Sequence, residues 1–164
     1  MSSIIFKGVL GLGAVSTAFY LKEIHRKYHE RNHQFSTCPL LVYQIDFQEI
    51  NPFLPNQFEV LIPKLQEVLK EITTLGIAKL LVPNITLHET LDQIEIPLEI
   101  CHPVDLTLKH LEQKAISEVY LFGTLHTMNS EYLKARFFAK KVKVVQPVEA
   151  DQKWIDDFRK KVYQ

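Results

Sequence analysis

The sequence predicts an α/β fold with a mainly parallel sheet and helices on both faces, and three observations carry that expectation. Strand-like and amphipathic helical segments alternate along most of the 164 residues. The run at residues 40–45 is apolar almost throughout, as suits a strand buried in a parallel sheet. Short glycine- or threonine-bearing turns stand between strands and the helices that follow them. Repeated strand–helix–strand order makes each helix a crossover, and crossovers join parallel strands.

In chain order, residues 4–10 read as the first strand. Residues 14–29 read as a helix, with Val15, Phe19, Ile24 and Tyr28 near one face. After the strand at 40–45, Phe58, Leu61, Ile62, Leu65, Val68, Leu69 and Ile72 form a strong helical stripe, and Gly76 follows as its C-terminal cap. Residues 78–82 make the third strand, 88–93 a short helix, and 97–100 the fourth strand. A helix at 104–114, a strand at 119–122 and a helix carrying Tyr132, Arg136 and Phe137 come next. Residues 142–145 give the sixth strand, and Trp154, Phe158 and Val162 repeat every four residues on a terminal helix.

Composition narrows the function classes. With 19 basic and 19 acidic residues, no global field points to nucleic acid or an anionic membrane. The basic residues His25, Arg26, Lys27, His29 and Arg31 alternate with Glu23 and Glu30, which describes a solvated helix end. Residues 4–20 are largely apolar, but Lys7 interrupts them and the remainder is too short to cross a bilayer, so a soluble chain is expected rather than a signal or an anchor. Cys38 and Cys101 form neither a metal-ligand spacing nor a disulfide framework, and each reads as a small buried apolar residue. A reducing, cytoplasmic setting is expected.

In a parallel sheet, ligands gather where the strands' carboxyl ends give way to turns. Three turns qualify: Gly11-Leu12-Gly13-Ala14-Val15-Ser16-Thr17, the turn at Asn84, and Gly123-Thr124-Leu125-His126-Thr127-Met128. Each leads into a helix whose free N–H groups suit a carboxylate. The first lacks the third glycine of a dinucleotide fingerprint and the lysine of a P-loop, so alone it reads as an ordinary strand-to-helix turn. Histidine suits acid/base work near neutral pH, but a histidine on a turn, as at His88 and His126, is more often a capping or solvent-facing group. Asp46 suits either a ligand amine or a turn cap. Glu149 and Asp151 favour the start of the terminal helix.

Taken together and in this order, the turns resemble those of the aspartate and glutamate racemases. Leu80-Leu81-Val82-Pro83-Asn84-Ile85-Thr86-Leu87-His88 is similar to that family's Pro-Cys-Asn-Thr-x-His turn. The opening resembles its Gly-Gly-Met-Gly-Pro-x-Ala-Thr run, keeping Gly11, Gly13 and Thr17 but with Leu12 for methionine and Ala14 for proline. Tyr43-Gln44-Ile45-Asp46-Phe47 resembles its second strand, and the stretch from Leu121 through Met128, Tyr132, Lys134 and Arg136 to Pro147 resembles the signature that opens its second lobe. The resemblance implies a first lobe at 1–100 and a shortened second lobe at 101–164 packed with it.

It also implies a cofactor-independent, two-base reaction at the α-carbon of a small amino dicarboxylic acid, with a cysteine on each side of the substrate. Thiolates poised near neutral pH suit that proton transfer. Here Asn84 replaces the first cysteine and Ile85 its neighbour, and the second cysteine falls beyond residue 164. By the resemblance, Thr86, Thr124 and Thr127 hold substrate carboxylates; helix capping explains them as well. Gly13, Asp46, Asn84, Thr86, Thr124 and Thr127 are therefore the candidate ligand residues, and His126 and His88 the candidate acid/base groups.

Two functions are compatible with this pattern. One is a protein without racemase activity that binds a small carboxylate or amino acid in a binding, regulatory or assembly role. The other is a cofactor-independent isomerase, lyase or hydratase on a small carboxylic acid, using His126 or His88. A homodimer or obligate partner is expected to cover strand edges and the face of Trp154 and Phe158.

Overall fold

A computed structural model describes residues 6–163. Contacts divide the chain into two compact units, Met1–His102 and Pro103–Gln164. Of the predicted first strand, residues 4 and 5 lie outside the described residues.

The first unit runs β1 (Phe6–Gly11), α1 (Ala14–Asn32), β2 (Leu41–Gln44), two short 3₁₀ turns (Phe47–Glu49 and Asn51–Phe53), α2 (Phe58–Thr74), β3 (Ile77–Leu81), α3 (His88–Leu91) and β4 (Glu99–Cys101). Its four strands form one sheet in the order β2-β1-β3-β4, every neighbouring pair parallel. The crossovers therefore bring all four carboxyl ends to the same edge. In register, Val9 stands beside Val42 on one side and Leu81 on the other, and Leu80 stands beside Ile100.

The core grows from the helical stripe. Leu61, Leu65, Leu69 and Ile72 recur every three or four residues, fall on one face of α2, and are buried with Leu10, Leu80, Val82, Leu87 and Leu91. The helix ends where expected: Gly76 takes a φ of 77°, a left-handed conformation that glycine adopts without steric cost.

Two expectations need correction. The apolar run at 40–45 is not a strand buried on both faces: β2 lies at the sheet edge, with Leu41 and Val42 both exposed. On α1, Val15 and Phe19 are 65% and 61% exposed, whereas Thr17 is the buried residue. Periodicity correctly groups residues on a face, but burial depends on what packs against that face.

The second unit runs α4 (Pro103–Gln113), β5 (Glu118–Tyr120), α5 (Leu125–Asn129), α6 (Glu131–Phe138), β6 (Lys143–Val145) and α7 (Glu149–Tyr163). β5 and β6 pair in parallel as a separate two-stranded sheet. Val104, Leu108, Leu111, Met128, Leu133, Phe137 and Val142 are its buried apolar residues. On α7, Trp154 and Phe158 are exposed and stack on one another at 5.7 Å between ring centres. The buried residues of that helix are Gln152 and Asp156, and the Asp156 carboxylate meets Lys160 Nζ at 2.7 Å and Arg159 at 3.2 Å. Across the described residues, the fold is α/β with parallel sheets flanked by helices, and no helix is long and apolar enough to cross a membrane.

Candidate functional site

The carboxyl edge of the first unit's sheet carries the turns after β1, β2 and β3, with His102 directly after β4. It brings Gly13, Asp46, Asn84 and Thr86 to one edge. Thr124, His126 and Thr127 belong to the second unit.

The first turn is closed by its own side chains. The Leu12 N–H donates to Thr17 Oγ1 at 3.2 Å, and the Gly13 carbonyl, at the N-cap of α1, accepts from Ser16 Oγ and from the Thr17 N–H, both at 3.0 Å. Gln44, at the end of neighbouring β2, reaches across: its Nε2 donates to the Leu12 carbonyl at 2.9 Å and to that of Ile45 at 3.0 Å. Gly11 lies under that side chain, and a Cβ there would run into the Gln44 carboxamide. Asp46 is exposed, and its Oδ1 accepts from the Gln48 N–H at 2.9 Å, which makes it the cap of the first 3₁₀ turn.

The turn after β3 is tighter. Val82 and Pro83 are buried, while Asn84, Ile85 and Thr86 are half-buried. The Asn84 N–H returns to the Val82 carbonyl at 2.9 Å, and Asn84 Oδ1 accepts from the Leu87 N–H at 3.1 Å. Asparagine thus serves as a side-chain cap for the turn leading into α3, satisfying an N–H that the short helix leaves unused.

His88 is not the exposed turn residue that a histidine at this position suggests. It is 0% exposed, and its Nε2 lies 3.1 Å from the Val82 carbonyl. A carbonyl only accepts, so this nitrogen carries the proton. The ring packs against His102, 6% exposed, at 4.5 Å between centres and a 54° tilt. His102 Nε2 lies 3.9 Å from Asp92 Oδ2, a pair that is ionic only when the imidazole is protonated.

Neither cysteine is fully buried. Cys38 is half-buried before β2, where its N–H donates to His25 Nδ1 at 3.2 Å. Cys101 ends β4 beside the carboxyl edge and is also half-buried. Burial pushes its thiol above the usual range; nearby Lys79 pulls it down, and Glu99 adds to the rise. The net shift keeps the thiolate, the form a proton-abstracting cysteine needs, scarce at neutral pH.

In the second unit, Thr124 caps α5: its Oγ1 accepts from the Thr127 N–H at 3.0 Å, and the two hydroxyls lie 2.9 Å apart. A Cβ on Gly123 would meet Thr127 Cγ2 at 2.9 Å, so the chain before the cap must be glycine to lie this close. Thr127 is buried and His126 half-buried. Among the described residues, no group of three or more histidine, cysteine, aspartate or glutamate side chains is arranged to hold a metal ion.

Sequence reading overlooked Gln44, Asp92 and His102. Gln44 closes the resembling strand, and His102 follows Cys101 at a strand end just before a proline. Position at a strand's carboxyl end was the available signal for both. The contact between His88 and His102, 14 residues apart in sequence, had none.

No protein-family model matches the sequence, and no curated protein matches it. Solved structures do. The chain superposes with a TM-score of 0.85 on a proposed Asp/Glu racemase from Yersinia pestis, at 21% identity, covering 96% of this chain and 71% of that one. An aspartate racemase homologue from Pyrococcus horikoshii OT3 matches with a TM-score of 0.79 and 19% identity, over 94% of this chain and 70% of that one. The chain has the aspartate/glutamate racemase fold. Picrophilus torridus aspartate racemase gives a TM-score of 0.67 at 15% identity, over 96% of this chain and 73% of that one. Within this fold, Asn84 sits on the turn following β3 at the sheet's carboxyl edge.

Proposed function

We propose that the chain is a racemase-fold protein without racemase activity, which binds a small carboxylate or amino acid at the carboxyl edge of its first unit. One observation carries this reading. At the position where the racemase-like turn calls for a cysteine, Asn84 offers a carboxamide whose oxygen is already held by the Leu87 N–H. A carboxamide has no titration near neutral pH and cannot cycle a proton at an α-carbon. It does retain an N–H₂ donor, and with Thr86 and the start of α1 it supplies neutral donors of the kind that hold a carboxylate.

The burial of His88 favours this reading over an enzyme of altered chemistry based on that residue, since its proton-bearing nitrogen faces the Val82 carbonyl. The Thr124–Thr127 turn, with His126 between, is a second candidate anion turn, although its hydroxyls already satisfy each other and the helix start. We read the two compact units as a first lobe and part of a second, and the exposed Trp154–Phe158 face as the contact of a homodimer or partner.

The test is incubation with L- and D-aspartate and L- and D-glutamate in heavy water, following the α-proton by NMR. No exchange, together with a rise in melting temperature for one of these acids, is the expected result, because a ligand selective for the native state must stabilise it. Exchange at the α-carbon would overturn the non-catalytic reading.

A further inference from the structure

We propose that His88 and His102 are positioning residues for the Asn84 turn, His88 through its hydrogen bond to the Val82 carbonyl and His102 by holding the His88 ring in place. Two imidazoles buried in contact are a poor substitute for hydrocarbon unless their nitrogens do something that hydrocarbon cannot. Here the Val82 carbonyl accepts twice, from the Asn84 N–H at 2.9 Å and from the His88 ring at 3.1 Å. Asn84 Oδ1 then accepts from the Leu87 N–H at 3.1 Å, and Leu87 is the residue before His88. With the His88 N–H donating to the Ile85 carbonyl at 3.3 Å, four hydrogen bonds close residues 82–88, and the His88 side chain is the member that ties the helix start back to the strand end. The free direction of the Asn84 N–H₂ group follows from that closure.

His102 supplies the wall. It ends the neighbouring strand's run at the same edge, and its ring meets that of His88 at 4.5 Å. Asp92, at the C-terminal end of α3, stands beside the far partner at 3.9 Å. The order Asp92, His102, His88, Val82 carbonyl thus links both ends of α3 to the turn.

The use of this arrangement for a ligand rests on the carboxylate-binding reading, but the arrangement itself is testable without one. Nitrogen-15 NMR of the full chain should find His88 as the Nε2–H tautomer; the Nδ1–H tautomer would overturn the proposal. Exchange of the Leu87 amide with solvent, measured against amides of β1, should quicken about fivefold to tenfold in His88→Phe, which keeps a ring but loses the donor, and in His102→Ala, which removes the wall. His102→Phe, with the wall restored, should bring it back toward the wild-type value, a rescue that general loss of packing would not give. Unchanged Leu87 exchange in both His88→Phe and His102→Ala would refute the positioning role; if His88→Phe fails to fold, the His102 pair and the tautomer decide. L-aspartate titrated into the wild type reports separately on the ligand reading: absence of binding there counts against that reading alone.

Discussion

Asn84 performs structural work that its position in a racemase-like turn does not announce. Its carboxamide oxygen caps the Leu87 N–H, so Asn84→Ala is expected to cost about 0.5–2 kcal/mol, whereas Asn84→Asp should retain most of that stability; urea midpoints of the two variants check this. Gly11 illustrates close approach: a methyl group there must push aside the exposed Gln44 carboxamide and its bonds to the Leu12 and Ile45 carbonyls, so Gly11→Ala should destabilise by about 0.5–1.5 kcal/mol, read the same way. Asp156 gives the chain an acid-sensitive residue. Hydrogen bonding to Lys160, and then to Arg159, holds its carboxyl below the ordinary carboxylate range, against the opposing effect of burial. Since the folded value is the lower one, its stabilising contribution is complete above the unfolded value near pH 4 and is lost as the pH falls through the folded value. The difference in urea midpoint between wild type and Asp156→Asn should therefore be steady near neutrality and close on acidification below about pH 4. At this scale the sequence displayed Asn84 as a departure from the resembling turn. It did not display the cap, because the acceptor's partner depends on how tightly the backbone between residues 82 and 88 folds back.

Helix α2 is the element whose place in the fold was most legible. Its apolar positions recur at helical spacing, Gly76 stops it, and the predicted face is the buried one. Leu65→Ala at its centre should cost about 2–5 kcal/mol, while the exposed neighbour Gln66→Ala should change stability by less than about 0.5 kcal/mol; chemical denaturation of both variants separates packing from helix propensity. Helix α1 shows where the same signal stops. Val15 and Phe19 share a face as predicted, yet that face is exposed, since periodicity records which side chains point together and not what they meet. Strand β2 fails similarly: an apolar run suits an interior strand, but sheet order places it at the edge. Sheet order comes from crossover paths between distant segments, which a local pattern does not contain.

For the whole molecule, balanced charge is the dominant solution property. With a net charge of zero at pH 7 and a sequence isoelectric point near 7.1, mutual repulsion is weakest near neutrality. Static light scattering should find the second virial coefficient lowest near pH 7 and rising toward pH 9, and Trp154→Glu with Phe158→Lys should raise it at pH 7 with charge unchanged if the aromatic face drives association. The sequence by itself determined the α/β class, the alternation of strands and helices, the core face of α2 and the racemase-like turns, because these follow from short-range periodicity and from residue types at turn spacings; it did not separate α5 from α6 or show the two 3₁₀ turns. Only the tertiary structure decided that β2 is an edge strand and that His88 is buried against His102 beneath the Asn84 turn. Both depend on which distant groups meet, and that is settled when the parallel strands align and their carboxyl ends converge.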